Sequence, residues 1–205
     1  MKTPTRIRLA AAMIAACAAA SLAHAQTPPA GTPERLRGTL VSKDGDTLVL
    51  HGLQGDETVR MADGWTVGST RPATLAAITP GMAIGVVSRG PAAHPVVAAI
   101  QVFAPEAPQR PGQRPWDMMP ESTMTNAVVA GEVSATTEGG LSLKYDDKVV
   151  SMTVPPDVSV GVAGPGDKTM LVPGVHLVVF STGGPGGSHT GRIAIVGLDG
   201  STPPL

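Results

Sequence analysis

The sequence predicts an all-β protein made of two copies of one small module. First, residues recur at a fixed offset of 93: Gly38 as Gly131, Leu48 as Leu141, Leu50 as Leu143, Pro80-Gly81 as Pro173-Gly174, Val86 as Val179, Ser88 as Ser181 and Ile100 as Ile193. Apolar character recurs with them, Leu40 against Val133, Ile84 against Leu177 and Val102 against Ile195, which is the signature of a duplicated structural unit. Second, each copy consists of short Val-, Leu- and Thr-rich runs cut by Gly, Pro and Asp, the spacing of a small β-barrel or sandwich and not of βαβ units. Third, the lone cysteine is Cys17, in the N-terminal apolar run, so nothing after it supplies a disulfide, a thiolate nucleophile or a thiolate ligand. The two modules must cohere by burial alone.

The chain opens with an export signal. Lys2, Arg6 and Arg8 precede an apolar run from Leu9 to Leu22, and Ala23-His24-Ala25 has the small-x-small form of a cleavage site. Residues 1–25 therefore read as a signal peptide, cleaved after Ala25, and the protein as periplasmic or secreted. The alternative is a lipid anchor on Cys17, because Ile14-Ala15-Ala16-Cys17 resembles a lipobox. The apolar stretch before Cys17 is short and Ala18 to Ala25 remain signal-like, which favours soluble export. Removing the signal leaves twelve basic against sixteen acidic residues, a net charge of −4. That balance disfavours phosphate backbones and anionic lipid, so no nucleic-acid partner is expected. No later apolar run reaches the length of a membrane span.

Residues 26–34, rich in Pro and Thr, read as a flexible leader. Module one covers 35–103. Arg35 to Ser42 is its first strand, Asp44-Gly45 a hairpin turn, Thr47 to His51 the second strand, and Thr58 to Met61 the third. Pro72 to Ile78 can form one or two helical turns, and Pro80-Gly81 suits a type II turn before strands at Met82–Ser88 and Val96–Phe103. Residues 104–125 form a linker, Pro-rich in its first half and carrying Trp116, Met118 and Met119 in its second. Module two, 126–198, replays the order: Ala127–Ser134, a Gly139-Gly140 turn, Leu141–Tyr145, Val149–Met152, Val175–Ser181 and Arg192–Val196, with a glycine-rich hairpin loop at 183–191. Residues 199–205 are a tail.

Arg37-Gly38-Thr39-Leu40-Val41, Asp44-Gly45-Asp46-Thr47-Leu48-Val49-Leu50 and Leu75-Ala76-Ala77-Ile78-Thr79-Pro80-Gly81 resemble the module pattern of a bacterial exported domain family of unknown function. Arg114-Pro115-Trp116-Asp117 through Ser122-Thr123-Met124-Thr125-Asn126 is similar to the linker signature of its two-module members. The resemblance implies two tandem OB-like β-barrels of about five or six strands each. It brings no activity and no catalytic residues. A permease label attached to some relatives does not fit a chain without several membrane helices.

Candidate chemistry is sparse. His51, His94, His176 and His189 show no ligand spacing. Met118, Met119 and Met124 near Trp116 are the candidate metal residues, because thioethers suit Cu(I), but methionine also fills irregular cores. Ser181 to Gly191 lacks the Gly-Lys-Ser/Thr ending of a phosphate loop, there is no nucleophile elbow, and Ser188-His189 adjacency alone builds no dyad. Asp44, Asp46, Asp146 and Asp147 read as turn residues. Phe103 and Phe180 are expected to face cores, leaving few aromatics for an oligonucleotide or sugar groove. The expectation is therefore a non-enzymatic binding or scaffolding module of the envelope, without a cofactor and with a partner yet to be identified. The alternatives are a copper-type metal-binding protein and, third, a hydrolase. The unrepeated linker, through Arg114, Trp116, Asp117, Met118 and Met119, is expected to dock on the modules.

Overall fold

The computed structural model describes residues 31–107, 110–131 and 140–205. The expected signal peptide, with Cys17, lies outside these residues, as do residues 26–30 of the expected leader. The first hairpin pair forms as the turn residues dictate. β1 (Pro33–Asp44) and β2 (Thr47–Gly52) join through Gly45-Asp46, with Gly45 at a φ of 55°, which glycine adopts without steric cost. β2 joins β3 (Gly55–Ala73) through Leu53-Gln54.

β3 is 19 residues long and outruns the short strand the sequence suggests. Leu75–Ala77 then makes one 3-10 turn. β4 (Ala83–Arg89) and β5 (Val96–Val102) form a hairpin, and β6 (Gly112–Pro115) pairs antiparallel with β7 (Thr123–Val129). β8 (Leu141–Tyr145), β9 (Lys148–Met152) and β10 (Ser159–Pro165) follow. In this copy Pro155-Pro156 stands between β9 and β10, where missing N–H donors interrupt a ladder. A 3-10 turn at Lys168–Met170, β11 (His176–Gly183) and β12 (His189–Gly197) complete the chain.

Five strands close a barrel in the order β1-β2-β3-β12-β11 and back to β1. All these ladders are antiparallel except β3–β12, which is parallel. Closure leaves this barrel no free sheet edge along its wall. Its interior holds Leu36, Leu40, Leu48, Leu50, Val59, Met61, Trp65, Leu177, Val179, Ala194 and Val196.

This closure corrects the expectation of one barrel per sequence copy. β1–β3 come from the first copy, β11 and β12 from the second. Conversely, β4 and β5 of the first copy pair with β7 and β10 of the second. The exchange extends to the plugs: Met170 and Leu171 pack into the β1–β3 barrel, while Leu75 and Ile78 pack into the other core with Ile84, Ile100, Leu141 and Leu143. The physical cause is the length of β3. Its C-terminal half continues straight into an antiparallel ladder with β10, from Gly68↔Pro165 to Ala73↔Val160, carrying the chain out of its own barrel instead of turning back onto it.

A second correction concerns where the second copy starts. Leu50 and Leu143 occupy matching places, but their partners are Leu40 and Val129, not Leu40 and Val133. The first strand is thus matched at an offset of 89, and Gly38 corresponds to Ala127, not Gly131. The four-residue difference falls in the β7–β8 connection, where 132–139, with the predicted turn at Gly139, lie outside the described residues. Thr123 to Thr125, assigned to the linker by sequence, are strand. The leader and tail also end differently: Pro33 and Glu34 already pair with β11, and Pro203 and Pro204 are buried.

Candidate functional site

The unrepeated segment between the copies makes the densest side-chain constellation. β6 adds to β7 from Gly112↔Asn126 to Pro115↔Thr123. The chain then reverses over residues 116–122. Trp116 N–H donates to the Ser122 carbonyl at 2.8 Å, and the buried Ser122 hydroxyl donates towards the carbonyls of Met119 (2.8 Å) and Trp116 (3.0 Å). Glu121 takes a φ of 56° to close the turn. Ser122 thereby fixes the direction of Trp116 and Asp117.

Both side chains meet the outer face of β1. Strand alternation turns Leu36 and Leu40 into the barrel and Arg35 and Arg37 out of it. The Arg35 guanidinium lies 3.6 Å from the Trp116 ring centroid and 5.9 Å from that of Phe180, and Arg114 approaches Trp116 at 5.6 Å. Arg35 Nη1 donates to Asp117 Oδ2 at 3.0 Å and Arg37 Nη2 to Asp117 Oδ1 at 2.8 Å. Arg37 also donates through Nη1 to the Arg35 carbonyl at 3.2 Å. Burial opposes the charged form of Asp117, but hydrogen bonds and charge from Arg37 and Arg35 outweigh it and hold the carboxyl below its ordinary value. Arg114 is pushed down, first by burial and then by Arg35 and Arg110.

The segment's other side grips a different sheet. Met124 in β7 is 1% exposed and clusters with Val87 of β4 and Ala99 of β5, and Trp116, Met118 and Leu205 pack against them. Trp116, Asp117 and Met118 therefore span two surfaces, β1 on one side and the β4–β5–β7 face on the other. Met118 and Met124 meet in this apolar cluster. Met119 is outside it and contributes its backbone to the Ser122 turn.

The histidines stay apart. His51 pairs with Asp56 (2.6 Å), His176 with the Thr39 hydroxyl (3.1 Å) and His189 with Glu34 (2.8 Å), and His94 is exposed. Among the described residues no three His, Cys, Asp or Glu side chains gather as metal ligands. The Ser188 hydroxyl donates to the Pro185 carbonyl rather than to His189. The glycine-rich loop is the β11–β12 hairpin, with one 3-10 turn at Pro185–Gly187. Phe180 points outward at Arg35, contrary to its expected core position; Phe103 lies over Gly85.

Sequence reading missed a second polar clamp, at the barrel end. Trp65 Nε1 donates to Asp46 Oδ1 at 2.6 Å, and Lys168, contributed by the other copy, reaches Asp46 at 3.4 Å and lies 4.1 Å from the Trp65 ring centroid. The Trp65 hydrogen bond foremost holds Asp46 below its ordinary carboxyl value. The available signal was Trp65 itself, since a buried indole N–H requires an acceptor. A shallow cavity of ≈ 230 Å³ lies where Thr70, Ser159 and Gly161 meet Ser201, Thr202 and Pro204. No charged group lines it. No helix among the described residues is long and apolar enough to cross a membrane.

The fold and site define an all-β barrel protein with an internal clasp. Comparisons with protein-family models, curated proteins and solved structures found no match.

Proposed function

We propose that this protein is an exported, non-catalytic scaffolding and binding module of the cell envelope. In this reading β4, β5, β7, β8 and β9 form a second OB-like barrel, narrowly closed where Val97 N–H donates to the Thr153 carbonyl (2.9 Å) and Thr153 N–H to that of Pro95 (3.0 Å). The observation that carries the proposal is the placement of Trp116 and Asp117. The residues most suggestive of a ligand site are occupied by the protein itself, joining two surfaces into one rigid body. Rigidity of this kind suits a platform that presents exposed turns, such as the fully exposed Leu53 between β2 and β3, to an envelope partner.

The test is a melting series of the mature protein with Cu(I), Zn²⁺ and envelope glycans, beside chromogenic ester, phosphate and glycoside substrates. The scaffolding reading expects no metal-dependent shift and no turnover. A Cu(I)-dependent rise in Tm that disappears in the Met118/Met119/Met124→Ile variant would replace it with the copper-binding reading. Mass spectrometry of the processed N-terminus tests export: a start at Gln26 supports the soluble form, and a diacylated Cys17 the anchored one.

A further inference from the structure

We propose that a second copy of this chain is a partner the fold accepts by strand exchange, residues 31–103 of one copy closing the sheets of residues 112–205 of another. Five ladders join the two halves of one chain: β1–β11, β3–β12, β3–β10, β5–β10 and β4–β7. Within the first half, β1–β3 form one sheet and β4–β5 a separate hairpin, with no ladder between them. The first half alone therefore leaves Leu48, Leu50 and Val59 without the Leu177, Val179, Ala194 and Val196 that cover them. It needs a second half, and nothing in the ladders requires that half to belong to the same chain.

The β3–β10 crossover shows the symmetry such an exchange demands. Five of the six pairs map onto pairs of the same ladder when each residue is moved to its counterpart 93 positions away: Gly68↔Pro165 becomes Gly161↔Pro72, and Thr70↔Ala163 maps onto itself. This is the self-complementary contact of a twofold dimer, realised here between repeats of one chain. The covalent path between the halves is the single run 104–111. It raises the effective concentration of the partner half, which favours the closed monomer in dilute solution and intermolecular pairing as concentration rises.

The experiment inserts a protease site within 104–111 of the full chain, with labelled (¹⁵N) and unlabelled proteins cleaved after folding. The nicked halves are expected to co-elute at the size of the intact chain. Mixed in urea and returned to buffer, they should give native mass spectra in which half the complexes combine one labelled with one unlabelled half. Halves that separate on cleavage, or that each elute as folded monomers, would overturn the proposal, as would recovery of parental masses alone after refolding. If refolding fails, the intact chain is concentrated instead: a dimer that returns to monomer only slowly on dilution supports the exchange, and a chain that stays monomeric at every concentration overturns it. The proposal rests on the ladders alone, so its failure would leave the scaffolding reading standing.

Discussion

Thr70 and Ala163 stand opposite one another in the β3–β10 ladder although they are the same position of two sequence copies. That pairing places a pseudo-twofold axis at the point where each copy leaves one sheet for the other. The two cores are therefore coupled through shared strands, which gives the first prediction.

Leu48→Ala and Leu141→Ala each empty a fully buried site, one in each core, and each should cost about 2–5 kcal/mol. Both are expected to shift one common unfolding transition in urea, followed by fluorescence and circular dichroism. Independent tandem modules would instead give two transitions, each moved by only one of the substitutions.

Asp117→Asn removes both ion pairs to Arg35 and Arg37. Because the carboxylate is partly exposed, solvent screening keeps the loss small, about 1 kcal/mol or less. In a Trp65→Phe background, Trp116 emission should shift to the red as the clasp loosens. Unchanged emission would show that the Arg35 stack and the apolar contacts with Met124 and Val87 hold the indole without the Asp117 ion pairs.

The same group sets an acid limb. Asp117 titrates below its ordinary value of 3.8 in the folded state, so the unfolded chain binds its proton first as pH falls. Its stabilisation is fully present above that ordinary value and is lost as pH drops through the lower folded value. The difference in stability between wild type and Asp117→Asn should therefore be constant from neutral pH down to about 5 and shrink progressively as pH falls below the ordinary carboxyl value.

Gly166→Ala tests the crossover itself. A Cβ there would lie 2.7 Å from the Gly68 carbonyl carbon and 2.9 Å from its oxygen, both backbone atoms. Overpacking of this kind should destabilise by about 1–3 kcal/mol. Leu53→Ser, at a fully exposed turn, is the contrast and should stay within about 0.5 kcal/mol; both are read by urea midpoint.

The sequence by itself determined the all-β class, the turn at Gly45 and the alternation that sends Leu48 and Leu50 inward, because each depends on local conformational preference or on period-two burial. It also marked the 114–119 segment as unlike the repeats. Tertiary structure alone decided which strands close which barrel. Similar apolar patterns in the two copies offer the β1–β3 unit two candidate partners, β4–β5 or β11–β12, and local sequence does not distinguish them. The choice follows from β3 running on to Ala73 and pairing with β10. The clasp was legible as residue types but not as contacts. Arg35 and Asp117 are 82 positions apart, and their meeting depends on β6 adding to β7 and on the exchanged sheets bringing that edge against β1.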